Sequence, residues 1–342
     1  MGVGYLGDKE LESFFSHIYF PVKKKTPVFS RKKKVIVIAG PTATGKTDLS
    51  IELAKAIGGE IISADSMQVY RGMDIGTAKA SVQQRREVPH YMIDIREVTE
   101  PFNVAQYYHE AHEVVEKILA RGAVPIVVGG SGFYLHIFLS GPPQGPPPDL
   151  EVRKGLEEKM EKLGPSVLYE QLQLLDPDYA KTITENDKHK IIRALEIITL
   201  SEKKVSDFEA KEKPEQDNYD YRCWFLYYEK NLLYSRIENR CQQMLDKGFL
   251  REVASLQRAG IEKNHTASQA IGYKQALAFL KTGRTKEEEE FFLQEFKKVS
   301  RRYAKRQFTW FRKEPHFRWL DLEKLDREKV KEVILQDYEQ GV

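Results

Sequence analysis

One short segment restricts the fold of this chain more than any other: a glycine-rich loop between a strand and a helix. Val35–Ala39 is a run of mostly β-branched residues, which predicts a strand buried on both faces. Gly40–Thr47 follows it and fits the pattern G-x-x-x-x-G-K-[ST]. Beyond the loop, Leu49, Leu53 and Ile57 repeat with helical spacing until a pair of glycines. The segment therefore predicts a P-loop, in which backbone amides and a helix N-terminus bind phosphate.

The P-loop predicts how a phosphate-bearing ligand would be held. Its backbone amides are expected to point at the anion, and Lys46 is expected to reach the outer oxygens. The Thr47 hydroxyl is the expected protein ligand of a Mg²⁺ ion. The loop recognises the anion and not the group attached to it, so the identity of the ligand stays open. The predicted phosphate-binding residues are Gly40, Pro41, Thr42, Ala43, Thr44, Gly45, Lys46 and Thr47.

Strands and helices alternate after the P-loop. Glu60–Ala64 and Val124–Val128 are predicted strands, and Val104–Arg121 is a predicted helix between them. This alternation predicts an α/β fold with a parallel sheet and right-handed crossovers. Ligands of such sheets bind beyond the carboxyl ends of the strands. We therefore expect three segments to lie along one edge of the sheet: residues 40–47, 65–68 and 129–132.

The composition changes at Gly141–Pro148, a proline-rich segment that cannot continue a helix or a central strand. Residues 150–200 are predicted to be helical, and Tyr221–Tyr228 is predicted to return to the sheet as a strand. The remainder is predicted to be helical, over 231–247, 249–259, 268–281 and 286–312. The prediction is a P-loop NTPase-like parallel sheet core with a helical insertion domain and a helical C-terminal region. Its segments are an N-terminal extension (1–33), the first part of the core (34–141), the insertion (142–207), the completed core with a helical region (208–320) and a C-terminal tail (321–342).

The bulk composition favours a cytoplasmic protein. Cys223 and Cys241 are the two cysteines in 342 residues, too few for a disulfide framework or a four-ligand zinc site. No apolar run approaches the roughly 20 residues that span a bilayer, and residues 1–20 lack the apolar stretch of a signal peptide. The net charge of +3 is too small to identify a partner.

Asp65 and Ser131 are the candidate catalytic residues. Asp65 ends the second predicted strand, where an aspartate near a P-loop commonly helps to hold Mg²⁺. It could instead act as a general base over a substrate nitrogen. Ser131, within the sequence Gly129-Gly130-Ser131-Gly132, is either a turn residue or a hydroxyl that faces the same cleft. Spacing alone leaves both choices open.

Several segments resemble the tRNA dimethylallyltransferases (isopentenyl-diphosphate:tRNA transferases) of the bacterial type. The matches run in order from about residue 35 to 320, and this colinearity makes the resemblance specific. The family usually has threonine at position 131, where Ser131 keeps the hydroxyl. The matching segments are Gly40–Thr47, Ile62–Lys79, Pro89–Asp94, Val128–Tyr134, Asn186–Asp187, Arg193–Glu196, Gln269–Lys274, Ala304–Gln307 and Thr309–Arg312.

The resemblance implies a reaction and roles for individual residues. It implies transfer of a dimethylallyl group from dimethylallyl diphosphate to the N6 amine of adenosine 37, beside the tRNA anticodon. The P-loop would bind the diphosphate with Mg²⁺, and Arg240 would join it. Asp65 would remove the proton from the amine, with Ser131 hydrogen-bonded in the same pocket. A monomer that needs no protein partner is expected.

The resemblance also implies contacts with tRNA. The insertion would bind the anticodon stem, where Lys190 keeps the positive charge of an arginine usual in the family. A basic stripe adds independent support: Lys297–Lys313 holds eight basic residues and no acidic one, with Phe292, Phe296, Val299, Tyr303 and Trp310 expected on a buried face. The predicted tRNA-binding residues are Asp65, Ser66, Met67, Gln68, Ser131, Arg153, His189, Lys190, Ile191, Ile192, Arg193, Gln269, Ala270, Ile271, Gly272, Tyr273 and Lys274.

Three other functions compete with tRNA modification. An adenylate isopentenyltransferase would use the same P-loop and base with free AMP, ADP or ATP as the acceptor. A P-loop small-molecule kinase would use Asp65 for Mg²⁺ or for a hydroxyl acceptor. A non-catalytic RNA-binding protein would leave the pairing of Asp65 with Ser131 unexplained. Asp65–Gln68, Asp74–Lys79 and the basic stripe favour tRNA as the acceptor.

Overall fold

The computed structural model describes residues 33–142, 145–209 and 219–340, so the predicted N-terminal extension lies almost wholly outside them. The described chain forms two compact units. Residues 33–139 and 219–340 make the first, which we call the sheet unit. Residues 140–142 and 145–209 make the second, the helical unit.

A parallel sheet organises the sheet unit and confirms the predicted α/β class. Among the described residues it has six strands in the order β3-β2-β4-β1-β5-β6. Every pairing is parallel. The strands are β1 (Lys33–Ala39), β2 (Gly59–Ala64), β3 (His90–Tyr91), β4 (Val124–Gly129), β5 (Tyr219–Tyr227) and β6 (Arg318–Asp321). The strand predicted at 221–228 does return to the sheet, beside β1.

Both faces of the sheet are covered. Val35, Val37 and Ala39 of β1 pack into one hydrophobic cluster, and Ile36 and Ile38 pack into a second on the opposite side. All five are fully buried. Because alternate side chains of a strand point to opposite faces, this pattern explains why β1 is apolar at every position.

Helices of the sheet unit enclose these two clusters. The second cluster includes Leu49 and Leu53 of the helix that follows the P-loop. The described helices of this unit are α1 (Lys46–Ile57), α2 (Val82–Glu87), α3 (Val104–Ala120), α4 (Gly132–Ser140), α10 (Lys230–Asp246), α11 (Phe249–Arg258), α12 (His265–Ser268), α13 (Tyr273–Phe279), α14 (Lys286–Phe311) and α15 (Arg327–Gln340), with a 3₁₀ turn at Ile261–Lys263.

The last segment of the chain contains two elements that the sequence did not predict. Arg318–Asp321, beyond the last predicted helix at 286–312, is strand β6 and pairs with β5. The tail expected at 321–342 contains α15, whose Val330, Val333 and Ile334 are buried against the sheet. Each such side chain contributes about 1.5–3 kcal/mol when it leaves water, so this helix is part of the core.

The helix predicted over 268–281 is interrupted. α12 ends at Ser268 and α13 begins at Tyr273, with Gly272 between them at φ 85°. A side chain at Gly272 would lie 2.6 Å from Phe296, so close packing as well as backbone conformation requires glycine there.

The helical unit is an independent bundle of short helices. Its core includes Leu168, Leu172 and Ile191, all buried. Proline occupies the first helical position of two of its helices. The missing N–H of proline costs no hydrogen bond there, because the first amides of a helix have no partner within the helix. Its helices are α5 (Leu150–Leu163), α6 (Pro165–Leu175), α7 (Pro177–Ala180), α8 (Lys188–Ser201) and α9 (Val205–Glu209).

None of the helices in the described ranges combines the length and the apolar character needed to cross a membrane.

Candidate active site

A cavity of about 780 Å³ opens at the carboxyl edge of the sheet, where the parallel topology predicts a site. The P-loop follows β1, a loop from Asp65 follows β2, and Gly129-Gly130 ends β4. Residues of all three segments line the cavity. Such a volume is ordinary for a small-ligand site.

The P-loop has the backbone geometry of an anion-binding turn. Gly45 has φ 84° and precedes the first residue of α1, and Ala43 also has a positive φ of 68°. Lys46 folds back over the loop, with its Nζ donating to the Pro41 carbonyl at 2.7 Å. Burial, and then the nearby Arg240, lower the pKa of Lys46 to about 7, although Asp65 acts to raise it. The loop therefore concentrates positive potential at the site where a diphosphate is expected.

Arg240 of α10 lines the cavity. From the sequence alone, an arginine on a long helix would equally fit an exposed surface position. Burial lowers its pKa from the ordinary value, and Asp65 opposes that change. Among the described residues no carboxylate oxygen lies within 4.0 Å of its guanidinium. An arginine that is partly buried and not ion-paired can neutralise a ligand anion directly.

Asp65 lines the cavity at the end of β2. Its Oδ1 accepts a hydrogen bond from the Met67 amide at 2.9 Å, which fixes the orientation of the carboxylate. Its negative charge contributes to the pKa values of Lys46 and Arg240, so it faces the same space as those cations.

Ser131 is half-buried and is not among the described residues that line the cavity. Its Oγ accepts from the Ser66 amide at 3.2 Å, in the residue next to Asp65. Tyr303 of α14 lines the cavity, and Ser131 lies beside it. Through the Ser66 amide, Ser131 holds the loop that begins at Asp65. A Cβ at Gly129, the last residue of β4, would lie 2.1 Å from the Ala64 carbonyl, so β4 approaches β2 too closely there for any other residue.

The loop from Asp65 to Lys79 is held by buried polar contacts. Ser63 Oγ donates to Gln68 at 2.8 Å, and Gln68 donates to the Thr77 carbonyl at 3.3 Å. Lys79, whose side chain is 1% exposed, forms ion pairs with Asp74 at 2.7 Å and Asp94 at 2.6 Å. These contacts explain the dense run of polar residues in this segment.

Glu252 of α11 supports residues that line the cavity, and the sequence did not predict this role. Its carboxylate accepts from the amides of Asp74, Ile75 and Gly76 at 3.0, 2.6 and 3.2 Å. It also accepts from the Tyr273 hydroxyl at 2.6 Å. Glu252 therefore ties the Asp65–Lys79 loop to the 269–274 segment. Nothing local to Glu252 signals this role, because every partner is distant in sequence.

The predicted tRNA contacts in the sheet unit divide into two groups. Ser66, Met67, Gln68, Gln269, Ala270, Ile271 and Tyr273 line the cavity together with Asp65. Gly272 supports the backbone by its packing on Phe296, and Lys274 is exposed.

The basic stripe lies on α14. Phe292 and Phe296 are buried as expected, but Trp310 is 38% exposed, so its predicted burial was wrong. It lies over Gly132, where a Cβ would be 2.4 Å from the indole. Arg301 is paired with Glu238 at 2.5 Å, whereas the side chains at 302, 305 and 306 are exposed.

The predicted tRNA contacts of the helical unit also differ among themselves. His189 and Lys190 are exposed in the first turn of α8, whereas Ile191 and Ile192 belong to the hydrophobic core of the unit. The two isoleucine side chains are thus unable to reach RNA. Arg153 and Arg193 both contact Glu196, at 2.8 and 2.6 Å, and Glu196 is completely buried.

The residues present fit a P-loop Mg²⁺ ion. Thr47 lines the cavity beside the lysine of the loop, and no cluster of three or more His, Cys, Asp or Glu suited to a metal occurs in the described ranges. Mg²⁺ commonly keeps several waters and takes few protein ligands when substrate phosphates complete its coordination. A single hydroxyl is consistent with that arrangement.

The parallel sheet and the P-loop that follows its central strand define a protein of the P-loop class. The family model described as IPP transferase matches residues 68–314. The chain is 56% identical over 332 residues to a tRNA dimethylallyltransferase of Protochlamydia amoebophila, covering 96% of each chain. It is 50% identical to that of Chlamydia pneumoniae, covering 90% of each. The chain belongs to the IPP transferase family.

Solved structures agree with this assignment. A tRNA isopentenylpyrophosphate transferase from Staphylococcus epidermidis superimposes with a TM-score of 0.66 at 35% identity, over 91% of this chain and all of that one. A eukaryotic dimethylallyltransferase acting on tRNA superimposes with a TM-score of 0.74 at 30% identity, over 90% of this chain and 80% of that one.

Proposed function

We propose that this protein is a tRNA dimethylallyltransferase that transfers a dimethylallyl group from dimethylallyl diphosphate to the N6 amine of adenosine 37, with Mg²⁺. One observation carries the proposal: Lys46 and Arg240 lie with Asp65 around a single cavity. Cations suited to a leaving diphosphate and a carboxylate suited to a proton therefore share one reaction space.

The cations would act on the leaving group. In the reaction the bond between the allylic carbon and the diphosphate oxygen breaks, and the diphosphate departs with the electron pair. Lys46, Arg240 and the backbone amides of the P-loop would stabilise the negative charge where it develops. Mg²⁺ held at Thr47 would supply further positive charge to the diphosphate oxygens.

Asp65 would act on the nucleophile. The adenine amine donates its electron pair to the allylic carbon, forming the new nitrogen–carbon bond, and its proton passes to the Asp65 carboxylate. The hydrogen bond from the Met67 amide keeps the carboxylate oriented before the base arrives. The base must leave its stack to enter the cavity, which costs least for an unpaired nucleotide in a loop.

The RNA would bind over several surfaces. Arg302, Lys305 and Arg306 of α14 offer exposed charge to the backbone, and His189 and Lys190 do so on the helical unit. A tRNA substrate supports a cytoplasmic location.

The decisive experiment incubates the purified protein with unmodified tRNA and labelled dimethylallyl diphosphate, with and without Mg²⁺. We expect label in tRNA at adenosine 37 and none in AMP, ADP or ATP supplied as alternative acceptors. Label in a free nucleotide would identify an adenylate isopentenyltransferase instead. Absence of transfer to any acceptor would refute the proposal.

Asp65→Asn tests the base directly. Transfer should fall by roughly 10²–10⁴-fold, because the amide cannot take the proton, while tRNA affinity is retained. Asp246→Asn, at an exposed position at the end of α10, is the matched control and should behave as wild type. Near-normal transfer by Asp65→Asn would mean that another group is the base.

A further inference from the structure

Gln307 lies on the inner face of α14, and its side chain is 4% exposed. Its Oε1 accepts a hydrogen bond from the Thr42 amide at 3.3 Å, and its Nε2 donates to the Gly130 carbonyl at 2.8 Å. The partners fix this assignment of the carboxamide, since an amide N–H needs an acceptor and a carbonyl needs a donor.

The two partners of Gln307 belong to different functional loops. Thr42 is in the P-loop, and Gly130 immediately precedes Ser131. One carboxamide therefore spans the diphosphate side and the Ser131 side of the cavity, which Gln307 itself lines. Gly130 and Gln307 are closely packed, because a Cβ at Gly130 would lie 2.4 Å from the Gln307 Nε2.

The same helix makes a second contact with this assembly. Tyr303, one turn earlier on α14, lies beside Ser131, and Ser131 accepts from the amide of Ser66, the residue next to Asp65. The opposite face of the helix presents Arg302, Lys305 and Arg306 to solvent. A single rigid helix thus joins the basic surface to both loops of the cavity.

We propose that Gln307 is a positioning residue that sets the separation between the P-loop and the Ser131 loop, and hence between the leaving diphosphate and the amine. This inference rests on the proposed function for its chemistry. Glutamine suits the task because its one carboxamide supplies a donor and an acceptor at the end of a side chain long enough to span the gap. A displacement of about 1 Å between reacting groups can cost roughly 10²-fold in rate.

The first test is Gln307→Met, which keeps the length of the side chain and removes both hydrogen bonds. We expect kcat to fall by roughly 10²-fold while the Kd for tRNA stays within about 2-fold of wild type. Gln294→Met, at an exposed position on the same helix, is the matched control and should leave kcat unchanged.

A second variant, Gln307→Glu, separates positioning from mere packing. The ionised carboxylate only accepts, so it opposes the Gly130 carbonyl, whereas the protonated acid restores one donor and one acceptor. Burial raises the pKa of such a carboxyl. The rate relative to wild type at the same pH should therefore recover as pH falls. Lys46, Asp65 and Tyr303 line the same cavity in both proteins, so normalising to wild type removes the pH dependence that the two proteins share.

The outcomes are distinguishable. If wild type transfers the group and Gln307→Met retains its kcat within about 3-fold, less than one net hydrogen bond is worth, the inference is wrong. A parallel loss of thermal stability and tRNA affinity in both variants, with no pH recovery, would also overturn it in favour of a packing role. If wild type itself transfers nothing, the proposed function fails first.

Discussion

Arginines of the two units differ in whether a carboxylate of the protein already pairs with them. In the helical unit, Arg153 and Arg193 share the buried carboxylate of Glu196. In the sheet unit, Arg240 faces the cavity with no carboxylate in ion-pair range among the described residues. Paired charges fix a structure, whereas an unpaired cation retains its attraction for a ligand. All three were predicted to bind phosphate-bearing ligands, and the structure gives that capacity most clearly to Arg240.

The environment of Glu196 makes this contrast measurable. Burial acts to raise its pKa, but hydrogen bonds from Arg193, the Asp149 amide and Arg153 outweigh burial, so the pKa lies below its ordinary value. A carboxylate with a lowered pKa stabilises the fold at neutral pH. That contribution is lost as pH falls through the lowered pKa.

The largest effect is expected from removing both partners of Glu196. Arg153→Met with Arg193→Met leaves a buried carboxylate without its cations and should lower the free energy of unfolding by about 3–5 kcal/mol. Adding Glu196→Leu removes the stranded charge and should restore most of that loss. Denaturant unfolding of the three proteins measures this, and a double variant as stable as wild type would show that the cluster does not hold the unit together.

Arg240→Met should affect transfer activity and leave stability unchanged, unlike the double arginine variant of the helical unit. Its unfolding free energy should stay near that of wild type, since it has no ion pair to lose among the residues that the structure describes. Transfer should fall by roughly 10²–10³-fold with the loss of one charge at the leaving group. The affinity for inorganic diphosphate with Mg²⁺ and the transfer rate are the measurements. Unchanged transfer, or lost stability, would remove the distinction between the two sets of arginines.

The pKa of Lys46 predicts a smaller effect, which is a pH dependence of diphosphate binding with a defined sign. Its pKa of about 7 should rise when a diphosphate binds, so binding should take up a proton near pH 8. Affinity should weaken by up to about tenfold per pH unit above neutrality. Calorimetry in two buffers of different ionisation heat gives the proton count. Diphosphate can also gain or lose protons when it binds, and Lys46→Met measures that contribution without the lysine. This variant should take up fewer protons on binding than wild type does.

The smallest effect sharpens the comparison within one helix. Arg302→Ala removes an exposed charge of α14 that has no ion pair within the described part of the chain, and Arg301→Ala removes one already paired with Glu238. We expect Arg302→Ala to weaken tRNA binding a few-fold and to reduce the dependence of log Kd on log salt by roughly 0.7–0.9. Arg301→Ala should change this slope less. Equal slopes would mean that pairing does not decide which charges meet RNA.

The sequence was informative wherever local pattern and chemistry coincide. The apolar run of β1 and the fixed spacing from Gly40 to Thr47 specify a strand, a turn and a cationic loop without reference to the rest of the chain. β5 was predictable for the same reason, because its apolar and aromatic residues suit a buried strand.

The rest depends on partners distant in sequence. Strand β6 is four residues long and has no alternating pattern to distinguish it from a helix end. The break at Gly272 follows from the position of Phe296, and Glu252 and Gln307 acquire their roles only when separate loops reach them. A charged side chain looks alike in sequence whether it is ion-paired, as Arg193 is, or has no carboxylate in range among the described residues, as Arg240 does.

The register of β1 has a consequence for synthesis on the ribosome. β1 lies between β4 and β5, and Lys33 is matched with Tyr219, so the central strand gains its second neighbour only after the whole helical unit has been made. The helix that carries Gln307 emerges later still. Contacts so distant along the chain form slowly and late. The P-loop is therefore synthesised long before the cavity is complete. A nascent chain that lacks the later elements should be unable to modify RNA.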